Sequence, residues 1–208
     1  HMPAAKPEGM VMGGGPASGK SSLLHAGVET LKDAVRIDVD EIRTKLPEYQ
    51  EMLARRDPNA ASFTHNESSD LAAEIVRRVQ ENYNILVDGT GNSSYESISR
   101  KVAGYRAQGQ PVRARYVTAD VDEAWKRQVA RAQETGRHVP ETFFRHAHRS
   151  VSQIVPRAMQ EDLFDDIELY SNNVKRGQLP ILVASKKRGG PMQVHHDEEW
   201  QKFLKKGE

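Results

Sequence analysis

Gly14-Gly15-Pro16-Ala17-Ser18-Gly19-Lys20-Ser21 is the stretch that decides the fold. It fits G-x-x-x-x-G-K-[ST], a loop whose backbone N–H groups turn inward around phosphate oxygens. In such a loop Gly14 to Ser22 line the phosphates of a nucleoside triphosphate. Lys20 reaches its β- and γ-phosphates and the Ser21 hydroxyl holds Mg²⁺. The flanks suit the motif. Met10-Val11-Met12 is a short apolar run that reads as a buried strand, and Ser22 to Val28 reads as the opening turns of a helix. Strand, glycine loop and helix in that order are the context the motif needs.

Working outward, apolar runs alternate with helical patterns. Strands are expected at Gly9 to Met12, Ala34 to Ile37, Ile85 to Val87, Val112 to Val117, Ile167 to Tyr170 and Ile181 to Ala184. Between them, Leu71, Ile75 and Val79 share one helix face, as do Ile98, Val102 and Tyr105, and then Val121, Trp125 and Val129. This alternation points to an α/β fold: a doubly wound, mostly parallel sheet of the P-loop NTPase type, with helices on both faces. Arg55 to Asn66, with Asp57-Pro58-Asn59, reads as a loop, and Lys186 to Pro191 as an exposed, mobile basic segment. Glu198 to Lys206 reads as a short helix.

Composition narrows the field. The 208 residues suffice for one sizeable domain, and the net charge of +1 implies no bulk attraction to nucleic acid or membrane. The absence of cysteine excludes disulfides, thiol catalysis and cysteine-ligated zinc. No apolar run approaches the roughly 18 residues of a membrane span, and no signal peptide is visible, so a cytoplasmic location is expected. His1-Met2 reads as a cloning scar. Charge is uneven along the chain. Residues 38–99 hold six Lys/Arg against twelve Asp/Glu, whereas residues 100–158 hold twelve against five.

In a doubly wound sheet, ligands bind outside the carboxyl ends of the strands. Three strand ends here carry useful chemistry: the glycine loop, Ile37-Asp38-Val39-Asp40-Glu41-Ile42-Arg43, and Val87-Asp88-Gly89-Thr90-Gly91-Asn92. Asp38 or Asp40 could cap the next helix or accept a proton from an attacking hydroxyl. Asp88 could reach Mg²⁺ through water, bind a substrate hydroxyl, or simply precede a turn. Arg127 and Arg131 lie four apart on one helix face, and Gly136 places Arg137 in the loop beyond it, next to His138. An arginine at a helix end and another in the next loop could clamp a phosphate or form a solvated basic face. His146 and His148 point to different faces and do not suit one metal.

In combination these features resemble the zeta toxins of bacterial toxin–antitoxin systems. Those are P-loop kinases that phosphorylate the 3′-hydroxyl of the sugar in UDP-N-acetylglucosamine. The resemblance runs from about Met10 to about Lys175. Ile37-Asp38-Val39-Asp40 is similar to the family's I-D-x-D element, which implies that Asp40 is the catalytic base. Tyr83 to Gly91 is similar to its E-G-T element, which implies that Asp88 and Thr90 contact the acceptor, with Asp88 one methylene shorter than the family's glutamate. Arg131 and the Gly136-Arg137-His138-Val139-Pro140 turn resemble the region that supplies two phosphate-clamping arginines. Leu163 to Asn172 is similar to the late F-x-D-I-x-L-Y-x-R/N strand, a match that bears on structure and says little about chemistry.

The resemblance implies a kinase using ATP or GTP with Mg²⁺, catalytic Lys20, Asp40, Arg131 and Arg137, a nucleotide-sugar acceptor and an antitoxin protein as partner. The expected layout is a loose N-terminus over residues 1–8 and a kinase domain over 9–185. A basic helical lid would cover about 121–158 and a basic tail 186–208. Other acceptors remain open: an antibiotic, another nucleotide sugar or a polynucleotide 5′-hydroxyl. Aromatics are 6% of residues and none interleave with the arginines, which argues against nucleic acid. A non-catalytic nucleotide-binding module also remains open, although no N-K-x-D guanine element is present.

Overall fold

The computed structural model describes residues 1–25, 31, 33–89, 94–175 and 177–208. Its strands are β1 (Gly9–Gly14), β2 (Val35–Asp38), β3 (Ile85–Asp88), β4 (Val112–Thr118), β5 (Asp166–Ser171), β6 (Ile181–Lys187) and β7 (Gln193–Val194). They form one sheet in the order β2-β3-β1-β4-β5-β6-β7. The pairings from β2 to β5 are parallel, and those of β6 with β5 and β7 are antiparallel. The helices are α1 (Lys20–His25), α2 (Val39–Arg43), α3 (Pro47–Ala54), α4 (Ala60–Phe63), α5 (His65–Val79), α6 (Tyr95–Ala107), α7 (Val121–Thr135), α8 (Glu141–Gln160) and α9 (Asp197–Lys205).

Alternation along the strands divides the interior in two. Met10 and Met12 of β1 point to one face and pack with Leu23 of α1, Leu86 and Val117. Val11 points to the other face, where Ile98 and Val102 of α6, Val155 and Met159 of α8, and Ile167 and Leu169 of β5 form the larger core. Helices therefore cover both faces. All six expected strands appear, and the central ones, β3, β1 and β4, read as apolar runs because they are covered on both sides.

The helix faces differ in detail. On α5 the buried residues are Ser68 and Ala72, while Leu71 and Ile75 are 42% and 39% exposed. On α7 the buried residues are Ala124, Gln128 and Ala132, and Val129 is 39% exposed. In both cases the buried line is rotated by one position from the expected stripe: Ser68 and Ala72 take it on α5, and Ala124 and Ala132 flank the long buried Gln128 on α7. The expected loop from Arg55 to Asn66 contains α4 and the first turn of α5.

Both ends of the chain are tied down. The Ala4 N–H donates to the Asn82 carbonyl at 2.8 Å, and Glu8 pairs with Arg113 at 2.9 Å. At the other end, β6 continues through Lys186, which pairs with Asp162, to Lys187. The helix expected near Glu198 is α9, and it is part of the core. Trp200 and Phe203 are buried and stack with ring centroids 5.7 Å apart. Glu199 accepts from the Ser171 hydroxyl at 2.6 Å and from the Asn173 amide at 2.7 Å, fixing α9 to the end of β5. Just beyond α9, Lys206 donates to the Thr118 hydroxyl at 2.7 Å at the end of β4.

Phe203 is 1% exposed, so Phe203→Ala is expected to destabilise the whole chain by about 3–5 kcal/mol in urea denaturation. A loss near zero would mean that α9 is an independent appendage.

Candidate functional site

The glycine loop leaves the carboxyl end of β1 and runs into α1. Its backbone closes on itself, with the Ser18 N–H donating to the Gly15 carbonyl at 3.2 Å and the Ser22 N–H to the Gly19 carbonyl at 2.9 Å. Gly19 has φ +97°, and a Cβ there would lie 2.1 Å from the Asn172 amide nitrogen, so glycine is required on both counts. The other wall of the loop rests on α8. The buried His148 ring lies where a Gly15 Cβ would be, 2.5 Å away, and its Nε2 is 2.9 Å from the Pro16 carbonyl oxygen. Burial first, then the nearby Lys206, Lys20 and Arg127, push the His148 pKa down to about 4 against its hydrogen bond to Pro16, so the ring is neutral at pH 7.

The loop opens onto a cavity of 410 Å³. Ala17 through Ser22 form one wall, Asp38, Val39, Asp40, Asp88 and Gly89 a second, and Arg127, Arg131 and Asn172 a third. This brings together most of the residues singled out from sequence. Asp38 is the N-cap of α2, accepting from the backbone N–H groups of Asp40 at 2.9 Å and Glu41 at 3.1 Å. With Asp38 committed to the cap, Asp40 in the first turn projects into the cavity, half-exposed. Its Oδ1 accepts from Arg43 Nη1 at 2.6 Å. Arg36 Nη2 joins the other two carboxylates, 3.2 Å from Asp38 and 2.6 Å from Asp88. Asp88, at the end of β3, is thus fixed in place and almost fully buried.

A second cavity of 220 Å³ shares Ala17, Lys20, Asp40 and Arg131 with the first. It continues past Arg43, Ser62 and His65 on one side and Gln128, Val139 and Phe143 on the other. Arg43 is nearly buried, and its Nη2 lies 3.5 Å from His65 Nδ1. Burial, with Arg43 adding to it, holds His65 below the usual histidine range. A third and larger cavity, 970 Å³, begins at Ser22, Arg127 and Asn172 and is also lined by Asp120, Glu123, Asn173 to Lys175, Gly177 and Gln178.

Arg127 and Arg131, one turn apart on α7, face the loop together. Arg137 does not. Gly136 ends α7 in the left-handed conformation with φ +71°, and the Arg137 side chain turns to solvent, outside the walls of these three cavities. The Gln128 side chain donates to its carbonyl at 3.3 Å. Helical periodicity of four was the signal for Arg127. Thr90 lies outside the described residues. Asn172 and His148 are further contributors that the sequence reading does not place in the site: Asn172 is the final R/N position of a strand motif read as structural, and His148 meets the loop from more than 120 positions along the chain with no local pattern to carry that. Among the described residues no group of three or more His, Cys, Asp or Glu suits a metal by itself, and no helix is long and apolar enough to cross a membrane.

The arrangement has the parts needed for phosphoryl transfer: a glycine loop with a lysine, a hydroxyl and carboxylates beside it, and arginines lining the same cavity. Comparisons with known proteins agree with it. No curated protein matches the sequence. Among solved structures, the chain is similar to one from the PezAT chromosomal toxin–antitoxin system of Streptococcus pneumoniae. There the TM-score is 0.69 at 15% identity, over 98% of this chain and 86% of that one. It is also similar to AvrRxo1-ORF1:AvrRxo1-ORF2 with ATP, at TM-score 0.68 and 17% identity, over 96% of this chain and 64% of that one. A structure of the Pnkp1/Rnl/Hen1 RNA repair complex matches at TM-score 0.51 and 21% identity, over 78% of this chain and 47% of that one. At these identities the likeness is one of fold. The family model for zeta toxin matches residues 1–190, and the chain belongs to the zeta toxin family.

Proposed function

We propose that this protein is a kinase that transfers the γ-phosphate of ATP or GTP to a small-molecule hydroxyl, with the sugar 3′-hydroxyl of UDP-N-acetylglucosamine as acceptor. The observation that carries this reading is that the Asp40 carboxylate stands in the same cavity wall system as Lys20 and Ser21, across from Arg127 and Arg131. A loop that only bound nucleotide would have no need of a half-exposed carboxylate lining the same cavities as its lysine.

In the proposed reaction the backbone N–H groups of Ala17, Gly19 and Lys20 and the Lys20 ammonium hold the donor phosphates, and the nucleoside extends past Ser22 into the 970 Å³ cavity. The oxygen donors beside the loop, the Ser21 hydroxyl and, through water, the Asp88 carboxylate, are of the hard type Mg²⁺ prefers. Bound there, the ion would neutralise charge on the β- and γ-oxygens. The acceptor occupies the 220 Å³ cavity, where Ser62, His65 and Gln128 offer hydrogen bonds and Phe143 an apolar face. Asp40, oriented by Arg43, takes the hydroxyl proton as the acceptor oxygen bonds to the γ-phosphorus. The bond from that phosphorus to the β–γ bridging oxygen breaks, and the nucleoside diphosphate leaves. Arg131 and Arg127 stabilise the charge on the transferring group. Arg137 fits this role less well, because its side chain lies outside the cavity. Asp88, held by Arg36, lines the adjoining 410 Å³ cavity, and family resemblance assigns Asp88 and Thr90 to contacts with the acceptor. Family membership supports a separate antitoxin chain as partner and a cytoplasmic location.

Asp40→Asn is expected to leave nucleotide affinity within about twofold while lowering the transfer rate by about 10²–10⁴. Calorimetry and a coupled nucleoside-diphosphate assay measure the two; full activity in the variant would remove Asp40 from the role of base. The acceptor is tested by incubating the protein with Mg–ATP and UDP-N-acetylglucosamine. Phosphorus NMR should show a new sugar monophosphate resonance, and its absence with both ATP and GTP would rule out this acceptor.

A further inference from the structure

The reaction above makes no use of the contact between α8 and the glycine loop. His148 Nε2 lies 2.9 Å from the Pro16 carbonyl oxygen. A carbonyl only accepts, so Nε2 carries the ring proton and donates. The ring is 3% exposed and lies flat against Gly15, where any Cβ would collide with it. Behind it, Phe144 packs at 4.7 Å between ring centroids, and Phe144 in turn meets Trp125 of α7 edge-on at 5.1 Å.

Peptide geometry gives this hydrogen bond a consequence. The Pro16–Ala17 peptide is trans, so its C=O and N–H point to opposite sides of one plane. Holding the carbonyl toward α8 turns the Ala17 N–H the other way, away from His148. Ala17 lines both the 410 Å³ and the 220 Å³ cavities. Its φ of +57° is the left-handed conformation that a non-glycine residue keeps only when its surroundings hold it there. Released from His148, the same peptide could turn its carbonyl toward the donor phosphates, where two negative groups would meet.

We propose that His148 is a positioning residue for the donor nucleotide. By holding the Pro16 carbonyl it presets the Ala17 N–H toward the phosphates. Through Phe144 and Trp125 it keeps the loop in register with α7, which carries Arg127 and Arg131. The proposal rests on the kinase reading, and the test separates the two. Phenylalanine at this position keeps a flat ring against Gly15 but has no donor. Glutamine loses the ring but keeps an N–H at a similar reach.

His148→Phe and His148→Gln should be compared with the wild-type chain for affinity to a non-hydrolysable Mg–ATP analogue by calorimetry, for thermal melting, and for KM of nucleotide and acceptor separately. The expected result is an analogue Kd about tenfold weaker in His148→Phe and within about threefold of wild type in His148→Gln. Nucleotide KM should follow Kd, while acceptor KM stays constant. The proposal is overturned if His148→Phe binds the analogue like wild type. It is equally overturned if both variants lose affinity in step with their melting temperatures, which would make the contact purely structural. A wild-type chain that binds no nucleotide would overturn the kinase reading, and this proposal with it.

Discussion

The parallel register of three neighbouring strands is the constraint on which the site depends. Met12 of β1 pairs with Asp88 of β3, and Asp88 pairs with Asp38 of β2. Met12, two residues ahead of the glycine loop, and two carboxylates therefore lie at the same level of the sheet. Side chains alternate along a strand, so a slip of one residue would send Asp88 to the opposite face and leave Arg36 without its partner. Burial of Met10, Ile85 and Ile37 opposes such a slip, because each would have to leave the core. The core thereby specifies the site.

Charge is balanced around that level rather than concentrated. Asp38, Asp40 and Asp88 crowd one cavity wall, and mutual repulsion would cost stability if they were left bare. Arg36 joins two of them and Arg43 takes the third. Each pairing also removes freedom. Asp88 cannot swing away from Arg36, and Asp38 is spent on capping α2. What remains half-exposed and oriented is Asp40. The facing walls are cationic, with Lys20 at the start of α1 and Arg127 and Arg131 on α7. A highly anionic ligand entering between the walls would meet positive charge from the loop and α7, and a carboxylate only at the far end.

Local features of the site were legible in the sequence, and contacts across the fold were not. The glycine loop, the strands around it and the cap at Asp38 follow from neighbouring residues, and the structure has them. Arg127 and Arg131 were legible as a pair because four residues make one helical turn. Which arginine would join Arg131 at the cavity depended on where α7 ends, and Gly136 turns the chain so that Arg137 points away. The helix stripes at Leu71 and Ile75 or at Val129 were misjudged by one position, because close packing favours Ala72 and Ala124 over larger neighbours. His148 and Asn172 touch the loop from the far side of the sequence, and α9 reaches the core through Trp200 and Phe203 in an otherwise charged segment. Periodicity cannot show which surface such residues will meet.

The central claim is that the backbone amides of the glycine loop are arranged to hold the phosphates of a nucleotide donor. Amide proton and nitrogen shifts of the labelled protein, followed during titration with a non-hydrolysable Mg–ATP analogue, test it most directly. Saturable downfield movement of the Ala17, Gly19 and Lys20 amide protons, ahead of amides elsewhere in the sheet, is the result this structure predicts. Saturation that moves other amides and leaves these three in place would contradict it.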